Sequence, residues 1–174
     1  MKNVVFIGMP GSGKTVIARM VAAKLERKYV DLDKVIAVRN YANIDNLKVK
    51  LGETEFRVRE AEIVQEASRH KDLVMSTGDG MVLIASNVKA LKASGICILL
   101  RAPIDVLLRR LGENPLFLPM VSNKPNIRQE FDKMWRERQP LYQGMADETI
   151  DTERLTLDQV VERVVEILKR RSEL

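Results

Sequence analysis

The chain has 174 residues, of which 45% are hydrophobic, 30% charged and 5% aromatic, and its formal net charge at pH 7 is +5. This composition is typical of one soluble domain. No stretch approaches the roughly 20 apolar residues of a membrane-spanning helix, so we expect no membrane partner. The basic residues form no aromatic-rich segment, which argues against nucleic acid as a partner. The positive charge instead favours a site for small acidic molecules.

The single cysteine, Cys97, lies in the apolar run 96–100 and cannot form a disulfide within the chain. We interpret it as a core residue of a buried strand, and a chain without disulfides fits a reducing cytoplasm. Met1 and Lys2 precede a strand-like run without the pattern of a signal peptide. We therefore expect a cytoplasmic protein, and we expect a monomer.

The first half of the chain alternates between short apolar runs and helical periodicity. Residues 4–7 are an apolar run ending at Gly8, which predicts a buried strand. Over residues 14–28 the apolar side chains recur at the spacing of a helix. The pattern then predicts a strand at 29–32, a helix at 54–68 and a third strand at 73–76.

The second half continues the alternation, with one interruption. A fourth strand is predicted at 96–100, and Pro103 suits the first position of a helix ending near Leu111. Residues 112–125 contain three prolines and predict a mobile loop or lid. The pattern further predicts a helix at 126–142, a short strand at 149–150 and a last helix starting at the capping box of Thr156 and Gln159.

Strands that alternate with helices predict an α/β fold, with a parallel sheet covered by helices on both faces. Right-handed crossovers bring the carboxyl ends of all strands to one edge, where ligands bind. We expect a single domain over residues 1–174, with the lid at about 112–125.

The first strand and first helix are joined by a phosphate-binding motif. Residues 8–15, Gly-Met-Pro-Gly-Ser-Gly-Lys-Thr, match G-x-x-x-x-G-K-[ST]. Backbone N–H groups of such a loop surround phosphate oxygens, and the following helix adds its positive end. Lys14 is expected to reach the β- and γ-phosphates, and the Thr15 hydroxyl to bind magnesium. The predicted ATP site comprises Gly8, Pro10, Gly11, Ser12, Gly13, Lys14 and Thr15.

Three further groups follow at the same edge, each with an alternative. Asp31 and Asp33 could hold magnesium through water and accept a hydroxyl proton; alternatively, Asp33 merely caps a helix starting at Lys34. Arg57, one turn into its helix, can bind a carboxylate through two hydrogen bonds, or it belongs to a solvated helix face. The turn 77–80, Thr-Gly-Asp-Gly, lets a ligand approach its backbone, or it is a plain turn.

The order of these motifs resembles the shikimate kinase family: the phosphate loop, D-x-D, G-E-x-x-F-R, T-G-x-G, a proline-containing lid, and R-x-P-x-Y followed by Ala-Asp. Here they occupy residues 8–15, 31–33, 52–57, 77–80, 115–116, and 138–142 with 146–147, nearly the whole chain. The resemblance implies a magnesium-dependent kinase that transfers the γ-phosphate of ATP to the 3-hydroxyl of shikimate, in aromatic amino acid biosynthesis. It also implies the nucleoside monophosphate kinase fold, three layers around a five-stranded parallel sheet.

The resemblance also implies roles for individual residues. Asp33 would bind the acceptor's hydroxyls and act as the base, with Lys14 as the second catalytic residue. Thr15 and Asp31 would hold magnesium, and Arg110 would lie near the adenine. The substrate-binding residues would be Asp33, Arg57, Gly78, Asp79, Gly80 and Arg138.

The chain departs from the family pattern at two positions. Asn114 stands where the lid carries an arginine that neutralises the transferred phosphoryl group, and Lys124, Arg109 or Arg128 could replace that arginine. Asp79 stands where the family has a glycine, and a positive φ there would strain the backbone. Asp79 could repel a substrate carboxylate, lie near magnesium or bind another acceptor.

These departures leave two alternatives to a shikimate kinase. One is a kinase for gluconate, a nucleoside monophosphate or a similar acceptor. The other is a nucleotide-binding regulatory module without transfer activity.

Overall fold

The computed structural model describes residues 1–41, 43–113 and 125–172. Within them, all strand pairs are parallel, and the sheet order is second, third, first, fourth, fifth. The strands are β1 (Asn3–Ile7), β2 (Lys28–Asp31), β3 (Leu73–Ser76), β4 (Gly95–Arg101) and β5 (Glu148–Asp151).

In the described part of the chain, helices lie between consecutive strands, and one more helix follows β5. They are α1 (Lys14–Lys24), α2 (Leu32–Arg39), α3 (Ile44–Arg69), α4 (Ala85–Ser94), α5 (Ile104–Gly112), α6 (Ile127–Met145) and α7 (Leu157–Arg170). A short 3-10 turn, Met81–Leu83, precedes α4. No helix in the described ranges is long and apolar enough to cross a membrane.

The core lies on both faces of the sheet because side chains alternate along each strand. In β1, Val4 and Phe6 pack with α1 and α7, whereas Val5 and Ile7 pack with the helices α2 to α6. All five residues of β1 are buried. The three-layer α/β fold with a five-stranded parallel sheet, expected from the sequence, is confirmed.

The connection between α1 and β2 differs from the prediction. The helix expected over 14–28 ends at Lys24, because Glu26 adopts a left-handed φ of 56° and the N–H of Arg27 returns to Ala22 O at 2.9 Å. The chain then enters β2 at Lys28.

The end of β2 was also predicted incorrectly. Leu32 was expected in the strand, but it is the first residue of α2. The helix cap is Asp31, whose side chain accepts the Lys34 N–H, so the alternative that Asp33 caps a helix starting at Lys34 is wrong. Asp33 lies inside the first turn of α2 and is left available for other contacts.

Two helical segments were not predicted. The α3 helix begins at Ile44, ten residues before the expected start at Thr54, and Gly52 interrupts it with a φ of 77° and a ψ of 165°. The α4 helix was missed because it is short and its N-cap, Ile84, makes no side-chain capping bond. Pro103 is the N-cap of α5, one position before its predicted place.

Candidate active site

The loop after β1 forms a tight cradle that requires glycine. Gly8, Gly11 and Gly13 have φ values of 145°, 80° and 93°, which glycine adopts without strain. A β-carbon on Gly8 would collide with the carbonyl oxygen of Leu100, and one on Gly11 with that of Leu107. The loop therefore lies directly against the end of β4 and the middle of α5.

The cradle contains polar groups suited to an anion. The Ser12 hydroxyl is buried and has no hydrogen-bond partner within the described residues. Lys14 Nζ donates to Gly8 O at 2.8 Å and Met9 O at 3.0 Å, and burial lowers the pKa of this ammonium group. Pro10 lies in the same loop. A phosphate group would provide a hydrogen-bond partner for the Ser12 hydroxyl and a negative charge for the Lys14 ammonium group.

Thr15 and Asp31, the residues expected to hold magnesium, lie at the carboxyl edge of the sheet. Thr15 is exposed in the first turn of α1. The Asp31 carboxylate accepts the Lys34 N–H at 3.1 Å and the Tyr29 hydroxyl at 3.0 Å. No cluster of three or more metal-binding side chains occurs in the described ranges. This oxygen-only set fits Mg²⁺, which takes few protein ligands beside phosphates and water.

Asp33, the residue expected to act as the base, lies beside the turn that follows β3. Its carboxylate lies against the α-carbon of Gly78, where a β-carbon would collide with it. Burial raises the pKa of the Asp33 carboxyl to about 6, and the Asp79 carboxylate acts in the same direction. Lys48 and Lys14 partly oppose this rise. A carboxyl group with a pKa near neutrality is suited to accept a proton.

Arg57 is held against the other end of the same turn. Its Nε donates to Glu53 at 2.7 Å, and its Nη1 donates to both oxygens of Glu60 at 2.9 and 2.8 Å. The guanidinium lies against Gly80, where a β-carbon would collide with it. The alternative of a solvated helix face is wrong, because the Arg57 side chain is only 14% exposed. Its Nη2 makes no hydrogen bond within the described residues and could bind a ligand.

Asp79 forms an ion pair with Arg138 of α6, and the two side chains are 27% and 13% exposed. Burial disfavours the charged carboxylate, but Arg138 and Lys14 outweigh it and hold the pKa of Asp79 below its usual range. The Tyr142 hydroxyl donates to the Asp79 carbonyl at 2.6 Å. Asp79 is not among the residues with positive φ, so the backbone strain considered for this position does not occur.

Sequence reasoning missed two charged residues of this site. Glu60 is 1% exposed and fixes Arg57, and its position three residues after Arg57 on one helix was the available signal. The Lys48 ammonium lies 5.2 Å from the centre of the Phe56 ring and faces the carboxylates of Asp33 and Glu60. Lys48 had no such signal, because the first part of α3 was itself not predicted.

Arg110, expected near the adenine, lies apart from the acceptor residues. Its Nη1 donates to Thr152 Oγ1 at 2.9 Å and its Nη2 to Thr152 O at 2.7 Å. Thr152 follows β5 directly, so Arg110 lies at the carboxyl edge of the sheet on the α5 side of the phosphate loop.

Of the residues considered as replacements for a lid arginine, Arg109 and Arg128 are described by the structure. Arg128 forms ion pairs with Asp105 and Asp132, and Arg109 is exposed. Asn114, Lys124 and most of the predicted lid at 112–125 lie outside the described residues. The lid therefore stays a prediction.

A separate cavity of about 490 Å³ lies at the opposite, amino-terminal edge of β2 and β3. Two ion pairs, Arg27 with Asp72 and Arg39 with Glu66, balance charges in its wall. It is distant from the phosphate loop and contributes nothing to the site described above.

Comparison with known proteins adds independent information. The family model described as shikimate kinase matches residues 10–169. The chain is similar to the shikimate kinase of Pelotomaculum thermopropionicum, with 35% identity over 97% of this chain and 96% of the relative. It is 36% identical to that of Thermodesulfovibrio yellowstonii, over 99% and 98% of the two chains. Among solved structures, shikimate kinase from Acinetobacter baumannii in complex with shikimate has a TM-score of 0.90 and 29% identity, covering 98% of this chain and 94% of that one.

Proposed function

Because the chain belongs to the shikimate kinase family, we propose that it phosphorylates shikimate. It transfers the γ-phosphate of ATP to the 3-hydroxyl of shikimate, giving shikimate 3-phosphate and ADP. Asp33 and Arg57 contact the two ends of the turn formed by Gly78 and Gly80. The proposal rests on this single arrangement, because Asp33 can accept a proton and Arg57 can bind a carboxylate at the two ends of one short turn.

The acceptor is positioned by both ends of this pocket. The Nη2 of Arg57 binds the shikimate carboxylate, and Arg138 is the second arginine in reach of the turn. Asp33 accepts a hydrogen bond from the reacting hydroxyl and takes its proton as the bond to phosphorus forms. Because phosphoryl transfer passes through a loose transition state, correct positioning contributes more than the strength of this base.

The phosphate loop binds the donor. Backbone N–H groups of the loop surround the phosphates, and Lys14 moves from the loop carbonyls it now contacts to the β- and γ-phosphate oxygens. The buried Ser12 hydroxyl gains a partner from the same phosphates. Arg110 belongs to the last turn of α5 and bonds Thr152 at the edge of the sheet, where it borders the adenine.

Thr15 and Asp31 would hold a magnesium ion beside the phosphate loop. Bound there, magnesium would supply positive charge to the phosphate oxygens of the donor. The proposal rests on the oxygen donors at these two positions and on the neighbouring cradle. We further propose that the enzyme acts as a monomer in the cytoplasm, where its substrate ATP is available.

Acceptor-dependent release of ADP tests this proposal. ADP would be measured with magnesium and ATP alone, and then with shikimate, gluconate or nucleoside monophosphates added. We expect release with shikimate only, its loss in Lys14→Met and its retention in Lys169→Met, which changes an exposed lysine at the end of α7. Release with another acceptor alone would indicate a different kinase. ATP binding without release on any acceptor would indicate a regulatory module.

A further inference from the structure

We infer that Asp79 is an internal competitor for the acceptor's carboxylate and thereby sets the affinity of this enzyme for its substrate. The Asp79 carboxylate accepts a hydrogen bond from Nη1 of Arg138, so an acidic acceptor must displace it before it can bind that nitrogen. The inference rests on the proposed function and assigns a specificity-determining residue to it.

The position of the side chain supports competition. Asp79 is flanked by Gly78, which contacts Asp33, and Gly80, which contacts Arg57. Its carboxylate is therefore the only side chain that the turn between these two contacts can present to the pocket. It accepts a hydrogen bond from Nη1 of Arg138, a donor that can bind the carboxylate of a ligand instead.

The charges around the turn support it as well. Arg57 is already balanced by the buried Glu60, and Arg138 is balanced by Asp79. The Glu60 side chain is only 2% exposed and contacts Nη1, which leaves Nη2 of Arg57 for a ligand, whereas the Asp79 side chain is 27% exposed and can be exchanged for an incoming carboxylate. Exchanging one carboxylate for another on a partly buried guanidinium yields less free energy than pairing a free one.

The turn is also joined to α6 by a contact that does not involve the Asp79 side chain. The Tyr142 hydroxyl bonds to the Asp79 carbonyl, a contact that any residue at position 79 would keep. The backbone there has no positive φ, so alanine and asparagine are both accommodated without strain. Removing the carboxylate is thus expected to change charge and leave the turn intact.

Shikimate binding to wild type, Asp79→Ala and Asp79→Asn tests the inference. Titration calorimetry gives Kd and steady-state kinetics give KM and kcat. We expect both variants to lower Kd and KM about tenfold, a change of about 1.4 kcal/mol, and to affect KM more than kcat. The asparagine variant keeps the side-chain shape and provides a folded protein if alanine destabilises the chain.

Three controls separate competition from a general charge effect. Glu137→Gln removes one exposed negative charge next to Arg138 on α6 and should leave Kd unchanged. In an Arg138→Gln background, Asp79→Ala should no longer lower Kd. A shikimate analogue with a hydroxymethyl group in place of the carboxylate should show no gain from Asp79→Ala.

The outcomes distinguish this inference from the function on which it rests. Wild-type turnover of shikimate with no tighter binding in either folded Asp79 variant would overturn the inference alone. A gain that persists in the Arg138→Gln background would overturn it too, because the competition would not concern that arginine. Absence of shikimate binding and turnover in every protein would overturn both.

Discussion

The carboxylate of Asp33 lies against the α-carbon of Gly78, in the space that a β-carbon at position 78 would need. The two residues follow different strands, β2 and β3, which pair in parallel and end at the same edge. Because Gly78 has no side chain, the Asp33 carboxylate after β2 can lie directly against the turn that follows β3.

Replacing Gly78 with alanine is expected to displace Asp33 and to lower kcat. A shift of about 1 Å in a catalytic group costs on the order of 100-fold, so we expect a loss of about 10- to 100-fold, measured by steady-state ADP release. Gly144→Ala in α6 is the matched control, since a β-carbon there meets nothing within 4 Å. Equal kcat in the two variants would show that the position of Asp33 is unimportant.

The pKa of Asp33 predicts an acid limb in the pH profile of kcat/KM. Only the ionised carboxylate accepts a proton, and its pKa is raised to about 6. The rate should therefore fall about tenfold for each pH unit below about 6. Asp33→Asn should lower the rate about 100- to 10,000-fold and abolish this limb, whereas Asp105→Asn, at an exposed carboxylate, should keep it. A limb centred near pH 4 would contradict the assignment.

The same raised pKa predicts that Asp33 destabilises the ligand-free protein at neutral pH. Its pKa rises from 3.8 to about 6 on folding, so the folded protein favours the protonated form of Asp33. The stability that this preference contributes is complete below pH 3.8 and is lost as the pH rises through about 6. At about 1.4 kcal/mol per pH unit, reduced for partial exposure to solvent, we expect Asp33→Asn to raise the free energy of unfolding by about 1–3 kcal/mol at pH 8.

Chemical unfolding of wild type and Asp33→Asn at pH 8 and pH 4 checks this sign. The difference between the proteins should be present at pH 8 and nearly absent at pH 4. A variant that is less stable than wild type at pH 8 would show that the Asp33 carboxylate is instead stabilised by its surroundings.

Glu60 is expected to act by positioning Arg57. Glu60→Gln removes the charge that fixes Nη1 of Arg57, so we expect KM for shikimate to rise about tenfold with a smaller change in kcat. Glu55→Gln breaks the exposed Glu55–Arg59 pair on the same helix and should leave both constants unchanged. A loss of stability in Glu60→Gln with an unchanged KM would assign Glu60 a structural role only.

Much of the fold could be predicted because its signals are local. The buried runs of β1 and β4, the phosphate loop and the Thr156–Gln159 capping box each lie in contiguous sequence. The helix α4 and the first part of α3 have weaker signals. Ile84 provides no side-chain cap, and Gly52 interrupts the helical periodicity.

The sequence predicted most residues of the site but not which of them contact each other. The motifs identified Asp33, Arg57 and Arg138 as candidate site residues. They could not predict the contact between Asp79 and Arg138, because these residues are 59 positions apart in the sequence. The role of Lys48 likewise depends on the orientation of α3 relative to the sheet. Such contacts are set by tertiary packing, which no local pattern encodes.

We propose that this enzyme transfers a phosphoryl group from ATP to shikimate with Asp33 as the base. The most direct test is phosphorus NMR of the products after incubation with ATP, magnesium and shikimate. We predict one shikimate 3-phosphate for each ADP with wild type, and formation of both products about 100-fold slower or more with Asp33→Asn. ADP accompanied only by inorganic phosphate, or a product phosphorylated at another hydroxyl, would contradict the account.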